Sequence, residues 1–148
     1  MYVSDAGRPD LAIDLAGDSI GRLNHVAKIL DETDGHQEFI EQLQIKRLNL
    51  LEQKCSQSDA SAYSFIYLAD TYRRQNDYAL AIEYYQRALV LNYGQVNWRF
   101  ALAKVLEDAG RIPEAMNEAK ICLRLRPQHK AAKRLIEELS LSPKMLEQ

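Results

Sequence analysis

The amino-acid sequence contains an internal repeat. Shifted so that residue 62 falls on residue 96, the stretch 62–95 aligns with 96–129, with Leu68 on Leu102 and Ala69 on Ala103. We call this shift one period. A repeat of this length is typical of one small structural unit that buries its apolar face against its neighbours in an array. This periodicity constrains the fold more than any other feature of the chain.

Each repeat contains two segments in which apolar residues recur at the spacing of a helix. The first segment has Phe65, Leu68, Ala69 and Tyr72 at positions i, i+3, i+4 and i+7. The second segment has Ala81, Ile82, Tyr85, Ala88 and Leu89. The chain has only 6 Gly and 4 Pro, which favours long regular elements. These patterns predict an all-α fold of antiparallel helix pairs.

The residues between the two segments have the chemistry of helix ends. Asn76 and Gly110 tolerate the left-handed backbone that terminates a helix. Asp77 can cap the start of the next helix, and Pro113 falls in a first turn, where its missing N–H costs no hydrogen bond. The turns therefore agree with the predicted pairs.

The stretch LADTYRRQNDYALAIEYYQRALVLN, residues 68–92, resembles the tetratricopeptide repeat family, and so does LAKVLEDAGRIPEAMNEAKICLRLRP, residues 102–127. The resemblance implies a right-handed superhelix of helix pairs, a TPR-like α-solenoid, with a C-terminal capping helix. The second repeat departs from the first near its start, where Arg99 aligns with Phe65. We expect Trp98 to pack on the preceding helix and Arg99 to be partly exposed.

Small residues recur where two helices of a pair would cross closely. Larger side chains at such positions would overpack the contact. Cys122 aligns with Ala88 and is predicted to be a small buried apolar residue as well. The alanines concerned are Ala69, Ala81, Ala88, Ala103 and Ala115.

We predict one tetratricopeptide-like domain over residues 1–148. Residues 8–22 are predicted to be a half repeat, because the sequence Asp-Ala-Gly-Arg at 5–8 recurs at 108–111. This start suggests a chain cut from a longer array or from a larger protein. Residues 23–61 are predicted to form a degenerate helix pair, with helices at about 23–31 and 37–54, followed by repeats at 62–95 and 96–129. Residues 130–140 are predicted to form a capping helix that directs Ala131, Leu135, Ile136 and Leu139 toward the array.

By the resemblance, the first helix of each pair lines a concave face that binds partners. The side chains left for this face are Tyr63, Ile66, Asp70, Arg73 and Arg74, then Asn97, Phe100, Lys104, Glu107 and Asp108. Ile66 and Phe100 are apolar and one period apart. They form either an apolar anchor strip or packing within the array.

Some family members hold the C-terminal carboxylate of a chaperone with Lys, Asn and Arg side chains on this face. The matching positions here are Ile66, Asp70 and Ala101. An Asp at such a site repels a carboxylate. We therefore predict that this clamp is absent.

The charges are unevenly distributed along the chain, although the net charge is only -2. Residues 1–60 carry six basic and eleven acidic side chains, whereas 61–148 carry thirteen basic and ten acidic ones. A basic patch has no acidic residue between positions 120 and 134, and is either a solvated helix end or a contact for an acidic partner or an anionic surface. Its members are Lys120, Arg124, Arg126, Lys130, Lys133 and Arg134.

No residue pattern points to catalysis, to a cofactor or to a metal. His25, His36 and His129 are far in sequence from one another and from cysteine, and no glycine-rich phosphate loop occurs. Cys55 and Cys122 form no disulfide framework, which is compatible with a reduced cytosolic protein, the default, and also with an envelope compartment. We expect no enzyme activity, no nucleic-acid partner on the basis of bulk charge, and no membrane insertion.

The predicted function is a non-catalytic interaction module or scaffold that binds a partner peptide or helix in its concave groove. One alternative is self-association, through the half repeat and the exposed tyrosines Tyr63, Tyr67, Tyr78 and Tyr84. Another is an accessory repeat region of a larger protein, such as one in bacterial envelope or polysaccharide assembly.

Overall fold

The computed structural model describes residues 19–31 and 35–141, and all regular structure in these ranges is α-helical. The helices are α1 (Ile20–Asp31), α2 (Gln37–Cys55), α3 (Ala62–Arg74), α4 (Tyr78–Leu91), α5 (Val96–Asp108), α6 (Ile112–Leu125) and α7 (Lys130–Ser140). The chain divides into two compact units, Met1–Gln57 and Ser58–Gln148. The prediction of an all-α fold is confirmed.

In the first unit, α1 and α2 pack on each other around a small apolar cluster. Leu23, Val26 and Leu30 of α1 and Leu43 of α2 are buried in it. Gly35, between the helices, has a φ of 88°, a conformation that L side chains rarely adopt. The helix bounds agree closely with the predicted degenerate pair, although α1 begins before the predicted start at residue 23. Most of the predicted half repeat lies outside the described residues, and residues 20–22 belong to the start of α1.

In the second unit, α3 to α7 pack in chain order, each helix on the next. The first helices α3, α5 and α7 begin at residues 62, 96 and 130, and the second helices α4 and α6 begin at residues 78 and 112. Both series keep the period of the sequence. Positions one period apart are therefore structurally equivalent in successive pairs.

The turns between helices have the predicted geometry. Asn76 and Gly110 adopt positive φ angles of 60° and 76°. The Asp77 side chain accepts a hydrogen bond from the backbone N–H of Leu80 at 3.3 Å. This bond caps the start of α4. Pro113 lies in the first turn of α6.

The predicted close contacts between helices are also confirmed. The alanines at positions 69, 81, 88, 103 and 115 have no exposed surface, and Cys122 has none. Burial raises the pKa of the Cys122 thiol to about 11, with a smaller contribution from the carboxylate of Glu118. Both effects disfavour the charged thiolate. Cys122 is thus a neutral packing residue at ordinary pH.

The prediction that Arg99 is partly exposed is wrong, because only 5% of this residue is accessible. Its guanidinium lies 2.9 Å from a carboxylate oxygen of Glu118 on α6, and its Nε donates a hydrogen bond to the carbonyl of Tyr93. The guanidinium also lies 4.0 Å from the centroid of the Tyr93 ring. Three favourable partners therefore offset the cost of removing this charge from water.

One pair of equivalent positions is occupied by different kinds of side chain in the two repeats. Phe65 and Tyr84 stack on each other in the first repeat, with ring centroids 6.3 Å apart. One period later the same two positions hold Arg99 and Glu118. An aromatic pair in one repeat is thus replaced by an ion pair in the next. Trp98, expected on the preceding helix, lies edge-on to Tyr63 of α3.

The capping helix α7 has the predicted bounds, but one of its inward residues differs from the prediction. Ala132, Leu135 and Leu139 are buried against the array, whereas Ala131 is exposed. Ala132 packs in a cluster with Val96 and Cys122. The few apolar residues of α7 are compatible with a buried face that contains either Ala131 or Ala132. Contact with α6 buries the face that contains Ala132.

We expect the substitution Ala88→Leu to lower the free energy of unfolding by about 1–3 kcal/mol or more, because the added carbons have no space between the helices. Ala79→Leu on the same helix is the matched control. Because Ala79 is exposed, its substitution should cost little, as surface changes usually do. Urea unfolding followed by the fluorescence of Trp98, the chain's 1 tryptophan, measures both. Equal effects of the two substitutions would contradict close packing at Ala88.

We expect Glu118→Gln to lower the free energy of unfolding by about 1–3 kcal/mol, because it leaves the buried Arg99 guanidinium without its anionic partner. Glu114→Gln is the control on the same helix. It removes the half-exposed ion pair with Arg111, and exposed ion pairs contribute little to stability. The same unfolding measurement applies, and a cost at Glu118 no greater than at Glu114 would argue against the buried pair.

Candidate partner-binding groove

The first helices of the second unit carry the ten side chains predicted for the concave face. The exposed ones are Tyr63, Arg74, Asn97 and Asp108. The half-buried ones are Asp70, Arg73, Phe100, Lys104 and Glu107. Ile66 differs from the rest, because it is only 9% exposed. We call the surface of α3, α5 and α7 that contains these side chains the groove.

A polar cavity of about 460 Å³ lies at the C-terminal ends of α3 and α5. It brings together four of the predicted residues, which are Asp70, Arg73, Arg74 and Asp108. Asn76 and Tyr78 also line it, and the Tyr78 hydroxyl donates a hydrogen bond to the Asn76 side chain at 3.2 Å. Sequence reasoning assigned Asn76 to the turn alone and did not place either residue in the groove.

The carboxylate of Asp70 is held in place from behind. The hydroxyl of Tyr85, a residue of α4 with no exposed surface, donates a hydrogen bond to it. Burial and the Asp70 carboxylate both raise the pKa of Tyr85 above its usual value, and Arg73 opposes them. Burial, Asp70 and Arg73 each change the free energy of ionising the Tyr85 hydroxyl to a phenolate. Tyr85 is therefore protonated at ordinary pH, and its hydroxyl fixes the position of the Asp70 side chain in the groove.

A second, smaller cavity of about 210 Å³ lies between α5 and α7. Phe100, Ala131 and Leu135 provide apolar surface there, and Lys104, Arg134 and Glu138 provide charge. The Lys104 ammonium also lies 2.7 Å from a carboxylate oxygen of Glu107. The Phe100 ring has its centroid 5.2 Å from that of His129, the residue before α7.

The two residues of the predicted apolar strip have different environments. Phe100 is half-buried and lines the second cavity, so part of its ring is accessible to a ligand. Ile66 is almost entirely within the core and offers little surface to a partner. Of the two predicted roles, packing within the array describes Ile66 in the free chain. Phe100 is the accessible apolar residue of the pair.

The six residues of the basic patch are all exposed and lie on α6, on α7 and on the turn between them. Arg134 is the member that lines the second cavity. Within residues 58–141, the ion pairs found involve other cations, namely Arg87, Arg99, Lys104 and Arg111.

In residues 19–31 and 35–141, no group of three or more His, Cys, Asp or Glu side chains is arranged to hold a metal ion. None of the described helices has the length and apolar character needed to cross a membrane. Cys55 and Cys122 are both buried, and no disulfide joins them.

Comparison with known proteins agrees with the repeat geometry. Residues 62–94 match the model of the tetratricopeptide repeat family. No curated protein sequence is significantly similar to this chain.

Several solved structures have the same fold. MamA AMB-1 superposes with a TM-score of 0.62 and 25% identity, over 93% of this chain and 76% of that one. YrrB, described as a TPR protein with an unusual peptide-binding site, gives a TM-score of 0.63 and 17% identity, over 99% and 73%. The second TPR domain of the human RPAP3 protein, in complex with an HSP70 peptide, gives 0.60 and 18%, over 80% and 98%.

The match at residues 62–94, the helix pairs that recur with the period of the sequence and the similar solved folds lead to one assignment. Residues 62–94 are therefore a tetratricopeptide repeat, and the described helices have the all-α fold of tetratricopeptide-repeat solenoids.

Proposed function

We propose that this protein is a non-catalytic interaction module that binds a peptide or helix of a partner protein in the groove of α3, α5 and α7. The observation that carries the proposal is that this surface has two cavities, one at the ends of α3 and α5 and one between α5 and α7. Exposed or half-buried side chains line both, among them Arg73, Arg74 and Phe100. Such a surface combines an apolar anchor with hydrogen-bonding groups, as peptide grooves do.

Two proteins of similar fold are described as binding peptides. The RPAP3 domain is in complex with an HSP70 peptide, and YrrB has a peptide-binding site. Their low identity to this chain supports a shared architecture and carries no information about shared contact residues. The groove chemistry of this chain must therefore be argued from its own side chains.

The groove offers both kinds of contact that a peptide requires. Arg74 and Asn97 are exposed and can donate hydrogen bonds to peptide carbonyls, while Phe100 provides apolar area. The Asp70 carboxylate, fixed by the Tyr85 hydroxyl, adds a preorganised acceptor. Preorganisation favours binding because less side-chain entropy is lost.

Selection from a display library of random peptides, followed by NMR mapping, tests the proposal. We expect selected peptides to shift backbone amide resonances on α3 and α5 while leaving the second helices α4 and α6 largely unchanged. The comparison between first and second helices within one protein is the internal control. Shifts concentrated on α4 and α6, or a library that yields no binder, would refute groove binding.

Self-association is a second candidate, favoured by the exposure of Tyr63 and Tyr67, which are 61% and 56% accessible. Exposed aromatic side chains are common in protein interfaces. Light scattering over a concentration series separates the candidates, because a module that binds only foreign peptides keeps the mass of one chain, 17.0 kDa. A mass that rises with concentration favours self-association.

We further propose that the groove does not recognise a free C-terminal carboxylate. Ile66 is buried and Asp70 is an acidic residue at the positions where a clamp would need donors. We expect the peptide SGPTIEEVD, named with the RPAP3 domain, to bind no more tightly as the free acid than as the C-terminal amide. Isothermal titration of the two forms measures this. A clear loss of affinity on amidation would show that a carboxylate clamp exists.

A further inference from the structure

The repeat period places the groove side chains in rows that run across the first helices. Because α3, α5 and α7 begin one period apart, residues separated by one or two periods occupy equivalent places. We number the rows from the N-terminal side of these helices. The first row is Ile66, Phe100 and Arg134, the second is Asp70, Lys104 and Glu138, and the third is Arg74 and Asp108.

The second and third rows alternate in charge from one helix to the next. In the second row Lys104 and Glu138 line the same cavity. In the third row Arg74 and Asp108 line the other cavity together. Charges of opposite sign thus alternate along each row. The third row has one charge of each sign, and the second has two carboxylates and one ammonium, so neither row favours an anionic ligand.

The first row is different, because it is apolar on α3 and α5 and ends in a cation on α7. Phe100 and Arg134 line the same cavity, where Ala131 and Leu135 add apolar surface. Lys130 lies one turn before Arg134, on the same side of α7. The acidic groups nearby are Glu138, which lines the same cavity one turn after Arg134 on α7, and Glu107, which pairs with Lys104. Arg134 is exposed and belongs to none of the ion pairs found in residues 58–141, so its guanidinium can contact a ligand at this end of the groove.

We propose that the α5–α7 end of the groove selects partner segments in which an apolar side chain is followed or preceded closely by Asp or Glu. The apolar side chain packs on Phe100, and the carboxylate accepts hydrogen bonds from the Arg134 guanidinium. The planar guanidinium suits a carboxylate because two of its N–H donors can point at the two oxygens. This inference deepens the proposed function and rests on it.

The spacing within such a segment follows from the geometry. Phe100 and Arg134 line the same small cavity, and an extended chain advances about 3.3 Å per residue. A segment crossing from α5 to α7 therefore places its apolar and acidic residues about two to three positions apart. The cavity of about 210 Å³ accommodates side chains of ordinary size.

A protein carboxylate fits this end better than a polyanion does. A polyanion gains affinity from many cations at once, as nucleic acids do. Here the cavity contains Lys104 and Arg134 beside an apolar wall, and Glu138 would repel additional negative charge. A single carboxylate next to an apolar group matches that distribution.

Parallel peptide-display selections on the wild type, Arg134→Glu and Lys133→Glu test the inference. Lys133 is the matched control, since it is exposed on the same helix but does not line the cavity. We expect the wild type and Lys133→Glu to enrich an apolar residue with Asp or Glu two to three positions away. Arg134→Glu should lose the acidic preference or exchange it for Lys or Arg. Display at a coat-protein N-terminus leaves no free peptide carboxylate, so the readout reports side chains.

Binding of one selected peptide, synthesised as the C-terminal amide, gives the magnitude. We expect Arg134→Gln and Arg134→Glu to weaken binding about tenfold or more, the usual effect of losing a charge-assisted contact. Lys133→Glu should change binding much less, since exposed charges away from the contact act weakly. Replacing the peptide's acidic residue by Lys should restore affinity in Arg134→Glu. Circular dichroism confirms that each variant is folded.

The outcomes distinguish this inference from the proposed function. Binders that lack an acidic residue, or a preference unchanged by Arg134→Glu, overturn the inference and leave groove binding intact. Equal losses for the substitutions at Lys133 and Arg134 also overturn it, because they indicate general electrostatics. Absence of any binder overturns both.

Discussion

The second unit depends on the close approach of neighbouring helices at residues that have almost no side chain. Ala69, Ala81, Ala88, Ala103 and Ala115 are fully buried, so helix backbones meet with only methyl groups between them. That contact sets the crossing of the two helices in each pair and the stacking of successive pairs. The first helices are consequently aligned, and the groove rows follow from that alignment.

Much of this architecture could be predicted because the sequence contains two copies of the same repeat, which can be compared with each other. The alignment of 62–95 with 96–129 identified the helix pairs, the turns at Asn76 and Gly110, and the small buried residue Cys122. Steric rules act on single positions, and each position of the repeat occurs twice in the sequence. Local chemistry was sufficient to predict a turn or a buried position wherever a single residue determines it.

Prediction failed where two positions depend on each other. Arg99 looked like a departure from Phe65, and only the fold shows that Glu118 replaces Tyr84 at the same time. The inward face of α7 was assigned to Ala131 instead of Ala132, because so short a helix has too few apolar residues to define its orientation. In the groove, Asn76 and Tyr78 were missed because they reach the cavity from the turn and from the start of α4. Each error concerns a contact between elements, which periodicity does not describe.

The bonds of Arg99 also affect how the array comes apart. Its side chain joins α5 to Glu118 on α6 and to the Tyr93 carbonyl in the segment between α4 and α5. If α6 detached alone, a cation shielded by protein would lose its carboxylate while remaining beside apolar neighbours. Departure of α5 together with α6 avoids that penalty by releasing both charges into water. Local opening of this array therefore favours whole helix pairs as its cooperative step, and the Arg99 guanidinium contributes to the coupling between α5, α6 and the preceding turn.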